Sequence, residues 1–176
     1  MTHSTTPTRD GFHALDACHR EMLRRVDELC RLVVQLETQG VDDAARADAA
    51  AIVRFFSTTA RLHHEDEERH VFPPLVRSGD PALVQAVLRL QQDHGWLEED
   101  WMELSPHVQA VAQGYSGYDI DVLREGATVF AALVRDHVAL EESLIYPEAR
   151  RAMPALERSE MGREMAWRRR NRNAEV

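Results

Sequence analysis

Residues 63–73 read His63-His64-Glu65-Asp66-Glu67-Glu68-Arg69-His70-Val71-Phe72-Pro73, and residues 137–147 read His137-Val138-Ala139-Leu140-Glu141-Glu142-Ser143-Leu144-Ile145-Tyr146-Pro147. At an offset of 74 residues His falls on His, Glu-Glu on Glu-Glu, and one aromatic-Pro pair on another. A second echo precedes each stretch. Asp16 to His19 in the first segment answers Asp93-His94 in the third, with the histidines 75 apart and Leu29 and Leu104 each ten residues beyond their His. The chain therefore reads as two helical hairpins, each carrying a His on its first helix and His-x-x-x-Glu on its second.

The surrounding residues carry the helical period that this reading needs. Phe12, Leu15, Met22, Val26, Leu29, Val33 and Leu36 recur at spacings built from three and four, predicting a first helix from about Phe12 to Thr38, closed by Gln39-Gly40. A second helix is expected from Asp42 or Asp43 to the Phe72-Pro73-Pro74 stop, because the residue before a proline is pushed out of the helical region. Ser78-Gly79-Asp80-Pro81 opens a third, with a kink or break expected near Leu104 because of Pro106. The fourth runs from near Asp119 to Tyr146-Pro147, and a short tail helix follows Pro154, ending in a basic run expected to be frayed and solvated. The fold class is all-α: an up-down-up-down four-helix bundle over residues 12–152, a flexible N-terminus over 1–11 and a C-terminal helix and tail over 153–176.

Composition narrows the function. The 176 residues carry a net charge of −9, and all 21 cations are Arg, so the overall field repels phosphate and no nucleic-acid partner is expected. No apolar run is long enough for a signal peptide or a membrane span. Cys18 and Cys30 lie on one predicted helix about 18 Å apart, beyond disulfide reach, and a reducing, cytoplasmic setting is expected.

Residues four apart on a helix differ by about 40° around the axis, so His63 and Glu67 project from one face, as do His137 and Glu141. His19, His94 and His137 occupy positions on apolar stripes where a core aliphatic would ordinarily sit. Any one of them alone is more often a satisfied core histidine than a ligand; four at repeat-related positions reverse that weighting. Imidazole suits iron, zinc and copper, and a carboxylate can span two cations, so His19, His63, Glu67, His94, His137 and Glu141 form a candidate dinuclear metal pocket. Other motifs fail on the same residues. His64-Glu65-Asp66-Glu67 is followed by Glu68 and not by the second His of a zinc protease, and Glu-x-x-His occurs at Glu67–His70 but not at Glu141–Leu144. No phosphate loop, nucleophile elbow or catalytic constellation is present.

These residues resemble the hemerythrin-like family, also called the HHE cation-binding domain, from about Leu15 to Arg170. The resemblance is carried by Cys18-His19-Arg20, Leu62 to Glu68 with Phe72-Pro73, Asp93-His94, and His137 with Glu141-Glu142; Gly162 to Ala166 with the arginines beyond looks like a subgroup of bacterial single-domain members. The resemblance implies two non-heme iron ions, oxo- or hydroxo-bridged, with His19, His63, His94 and His137 as terminal ligands and Glu67 and Glu141 bridging. Dioxygen, nitric oxide or peroxide would be the small ligand. Two departures from the oxygen-carrier pattern bear on function: Glu98 stands where that pattern has a second third-helix His, which makes it a possible additional ligand or supporting residue, and both Glu141 and Glu142 follow His137. One imidazole fewer favours the ferric state and argues against reversible oxygen carriage. His64 aligns with Val138 and lies about 100° from the His63 face, so a supporting role is its default and metal contact the alternative. His3, His13, His70 and His107 are expected at the surface. The reading from sequence is a protein that binds or senses the small ligand. A di-iron enzyme, peroxidase-like, catalase-like or donating iron for cluster repair, is the second hypothesis, and a metal-free bundle that docks on a protein partner the third.

Overall fold

A computed structural model describes residues 10–174, and in it every regular element is a helix. Helix α1 spans Gly11–Thr38, α2 residues 43–78, α3 Pro81–Ala112, α4 residues 120–152 and α5 Ala155–Ala174. The four bundle helices all begin on an aspartate. Asp10, Asp42, Asp80 and Asp119 accept from the backbone N–H groups of Phe12, Ala45, Ala82 and Asp121 at 3.0, 2.7, 2.8 and 2.9 Å. Each carboxylate satisfies a donor that the first helical turn leaves free and sits at the positive end of the helix dipole. Past the ends of α2 and α3, Gly79 and Gly114 hold φ of 71° and 76°, a left-handed stop that favours glycine. Consecutive helices pack as neighbours and α4 closes back on α1, which gives the up-down-up-down bundle. Among the described residues no helix is long and apolar enough to cross a membrane.

Two helix ends differ from the sequence expectation, for one reason. Helix α2 passes Phe72-Pro73-Pro74 and ends at Ser78, and α4 passes Tyr146-Pro147 and ends at Ala152. In both, a π turn immediately precedes the proline: Glu67–Val71 in α2 and Glu141–Ile145 in α4. The wider turn bonds i to i+5, so Phe72 N–H reaches Glu67 C=O and Tyr146 N–H reaches Glu141 C=O. Each proline then sits in the first turn of a fresh α segment, where its missing N–H costs little. The two π turns are themselves 74 residues apart, so the repeat seen in the sequence is a repeat of backbone geometry. Pro106 does not break α3 either. Its would-be acceptor carbonyl belongs to exposed Met102, where water can take the freed bond.

The tail is also more ordered than expected. Helix α5 packs on α1 and buries Met161 and Met165 against the end of the core that holds Phe12 and Leu15. Beneath it, the carboxylate of Asp66, 1% exposed, is held by the guanidinium of Arg168 and by that of Arg169 at 2.5 Å. Arg168→Ala is expected to lower stability by about 1–3 kcal/mol, because it removes one partner of a buried charge while Arg169 remains. Urea unfolding of the variant measures this. Of the expected flexible segment 1–11, residues 1–9 lie outside the described ones, and Asp10 and Gly11 cap and begin α1.

The core falls into two apolar clusters. One surrounds Met22, Leu29, Phe56, Trp101 and Phe130; the other surrounds Phe12, Leu15, Phe72, Leu90 and Tyr146. Between them lies a layer of buried polar side chains, one or more from every helix of the bundle.

Candidate metal centre

The polar layer consists of His19 on α1, His63, Asp66 and Glu67 on α2, Asp93 and His94 on α3, and His137 and Glu141 on α4, all buried. All six residues predicted from sequence are therefore inside and together. With His64 they form two groups whose candidate ligand atoms lie within 4.8 Å of one another: His19, His63, Glu67 and Glu141, and His64, Glu67, His94 and His137. Donors about 2.1 Å from one ion stand roughly 3–4.2 Å apart, and the closest carboxylate–imidazole pairs in the site, 3.0–3.4 Å apart, have that span.

The carboxylates reach across the groups. Glu67 Oε1 is 3.3 Å from His63 Nε2, and its Oε2 is 3.4 Å from His94 Nε2. Glu141 Oε1 is 3.2 Å from His137 Nε2, and its Oε2 is 3.0 Å from His19 Nε2. Despite these distances, Nε2 of His63, His64, His94 and His137, Oε2 of Glu67 and both oxygens of Glu141 have no hydrogen-bond partner. Buried polar atoms are ordinarily paired. A cluster of electron-pair donors aimed inward without alignment on each other fits cations held among them.

Two of the outward ring nitrogens are held by acids: His19 Nδ1 is 3.0 Å from Glu142 Oε1 and His94 Nδ1 is 2.8 Å from Glu68 Oε1, whereas His137 Nδ1, 3.6 Å from Asp93 Oδ2, makes no hydrogen bond. The first two contacts are related by the repeat, since Glu142 follows Glu141 as Glu68 follows Glu67. Each hairpin thus orients a histidine of the other. A carboxylate on Nδ1 fixes the ring so that Nε2 faces inward and raises its basicity. Glu68→Gln and Glu142→Gln are each expected to weaken metal binding by about 10–100-fold without loss of fold, as read by competition with a chelator.

Where the structure departs from the sequence reading, it does so at His64, Glu98 and Tyr146. His64, expected in a supporting role, brings its buried Nε2 into the second group and stacks on His94 with ring centroids 4.1 Å apart. Helix α2 lies between two neighbours, so the roughly 100° step from His63 to His64 turns one ring toward α1 and the other toward α3. Glu98 is not brought in: its carboxylate is exposed and pairs with Arg61 at 3.0 Å. From His94 it lies one turn along α3 but about 40° further round the axis, on the side away from buried Leu97 and Trp101. Tyr146, read in the sequence only as a helix stop, is fully buried, and its hydroxyl lies 3.0 Å from His19 Nε2 and donates to Glu67 Oε1. It stacks on His19 as Phe72 stacks on His94. The repeat was the available signal: Phe72 and Tyr146 are partners in it, and only one has a hydroxyl. Of the histidines expected at the surface, His13 is exposed, while His70 is half-buried on Glu164 and His107 half-buried with Nδ1 accepting from Asp119 N–H. His3 lies outside the described residues.

Electrostatics divide the imidazoles. Burial pushes His63 down to about 4 and His64 well below the usual imidazole range. Burial opposes charge on His19 and His137 as well, but the Glu141 carboxylate, with Glu67 beside His19 and Asp93 beside His137, outweighs it and holds both up at about 10. Metal-stripped protein should therefore show a stability maximum. Between about 4 and 6.5 the unfolded chain binds more protons at His63, so stability rises with pH; between 6.5 and about 10 the folded chain binds more at His19 and His137, so stability falls. The melting temperature of chelator-treated protein is expected to peak near pH 6.5, and a steady rise up to about pH 9 would contradict this charge assignment.

Fold and site together define a helical bundle with a metal-capable His/carboxylate core. The family model for the hemerythrin HHE cation-binding domain matches residues 10–149, and the chain belongs to that family. It is 32% identical over 160 residues to an uncharacterized protein of Haemophilus influenzae, covering 91% of this chain and 90% of that one. It is also 27% identical over 146 residues to uncharacterized proteins of Mycobacterium bovis and Mycobacterium tuberculosis, covering 81% of this chain and 51% of theirs.

Proposed function

We propose that the chain holds two iron ions, one at His19, His63, Glu67 and Glu141 and one at His64, Glu67, His94 and His137, and that it binds or senses dioxygen, nitric oxide or peroxide there. The observation that carries this reading is the convergence of inward, unpaired Nε2 and carboxylate atoms from α2, α3 and α4, with His19 of α1 beside them, on two adjoining groups. Bound iron would supply a redox-active centre able to bond a small ligand. The protein's own contribution is orientation and shielding. Glu142 and Glu68 aim two imidazoles, Glu67 and Glu141 offset cationic charge, and the apolar clusters on either side exclude bulk water. The mixed imidazole and carboxylate donor set suits iron, and also zinc or manganese. Metal analysis of the purified protein, together with its visible spectrum in air, tests the reading. Close to two irons per chain, with an absorption band that nitric oxide or peroxide perturbs, is the expected result; absence of bound metal after growth with iron would overturn it.

A further inference from the structure

Of the inward donor atoms in the two groups, only His19 Nε2 and Glu67 Oε1 have a hydrogen-bond partner, and for both it is the hydroxyl of Tyr146. The hydroxyl has one proton and gives it to Glu67 Oε1. Its own place is fixed. Tyr146 is fully buried, its ring stacked on His19 with centroids 4.9 Å apart and edge-on to Phe12 at 5.6 Å.

The repeat shows what this contact singles out. Glu67 and Glu141 are partners in it, and so are Tyr146 and Phe72. From α4, Tyr146 reaches across to the glutamate on α2; from α2, Phe72 stands in the corresponding place and has no hydroxyl to offer the glutamate on α4. Both oxygens of Glu141 are accordingly without a hydrogen bond. Its contacts with His19 at 3.0 Å and His137 at 3.2 Å are attractions of charge between groups that are not aligned as donor and acceptor. A glutamate side chain has several rotatable bonds, and it holds one orientation only where something anchors its end. Carboxylates that ligate metals are ordinarily anchored by such an outer hydrogen bond. Here one of the two is and the other is not.

We propose that Tyr146 is a positioning residue that pins Glu67 and leaves Glu141 as the carboxylate that turns when a small ligand arrives. The inference rests on the metal-centre reading. With ions in place, Glu67 keeps Oε1 toward His63 and Oε2 toward His94, while Glu141 alternates between reaching both groups and reaching one. That movement frees a donor position without releasing an ion. Tyr146 keeps its proton throughout and acts through Glu67.

The test uses full-length protein loaded with diamagnetic zinc, labelled with ¹³C at the glutamate carboxyl carbons and followed by NMR. Microsecond-to-millisecond exchange at the Glu141 carboxyl is expected to exceed that at Glu67 by at least about threefold. Azide, as the small ligand, should shift the Glu141 signal and leave that of Glu67 in place. Tyr146→Phe keeps the ring and removes only the hydroxyl. In this variant Glu67 should rise to the exchange level of Glu141 while Glu141 keeps its own value, whereas a general loosening of the core would raise both. Zinc affinity, read by competition with a chelator, should fall about 10–100-fold. Equal exchange at the two glutamates of the unaltered protein, or an unchanged Glu67 in Tyr146→Phe, would overturn the proposal. A phenolate signal from the Tyr146 ring in the zinc-loaded protein would do so too, since it makes the residue a ligand and not a donor to one. Failure to take up zinc or iron defeats the metal reading and this inference with it; zinc uptake with equal exchange defeats this inference alone.

Discussion

Glu67→Ala is expected to bring bound metal from two ions per chain to near zero. Glu67 belongs to both donor groups, with Oε1 turned to His63 and Oε2 to His94, so under the two-iron proposal its removal would take a donor from each ion and leave less negative charge to offset them. Glu141→Ala should also fall well below two, but less steeply, since Glu141 belongs to one group and reaches the other only through its contact with His137. Glu65→Ala is the control. Its carboxylate sits outside the core and pairs with Arg172 at 3.0 Å, so two ions should remain. Metal analysis with circular dichroism on the same samples separates loss of metal from loss of fold, and equal metal content in all three variants would refute a bridging role for Glu67 and Glu141.

His64→Val is expected to leave about one ion. The substitution installs the residue that the repeat places at Val138, and it deletes one of three imidazoles in the group with His94 and His137 while leaving His19, His63 and Glu141 intact. Affinity for the second ion should fall by about 100-fold or more, beyond the effect of losing an orienting carboxylate. Chelator titration should resolve one tight and one weak site in place of two tight ones. Retention of two tight sites would return His64 to a supporting role. His70→Ala, which removes a half-buried ring paired with Glu164, should leave both sites intact.

Which residues meet in the core was largely legible from spacing alone. His63 with Glu67, and His137 with Glu141, are one helical turn apart, so a common face follows from geometry that no tertiary contact needs to supply. The starts of α2, α3 and α4 at Asp42, Asp80 and Asp119 and the close of α1 at Gly40 were legible for the same reason: caps act within four residues of the backbone groups they satisfy. The proline boundaries were misjudged because the pattern of side chains does not reveal an added residue in a turn, and the π turn is what relieves the clash. The tail was misjudged because Arg168 and Arg169 read as a solvated basic run until Asp66 is seen beneath them.

Sequence by itself determined the all-α class, the two-hairpin repeat and the six inward donors, because each of these depends on local periodicity repeated at a fixed offset. Tertiary structure decided how the two groups differ: that His64 turns inward and Glu98 does not, that Tyr146 reaches Glu67, and that Glu142 orients His19 while Glu68 orients His94. Those facts depend on which helix stands beside which, and on the distance between side chains up to 127 residues apart along the chain, as Tyr146 and His19 are. A helical wheel gives a side chain its direction; only the packed bundle supplies the neighbour it meets.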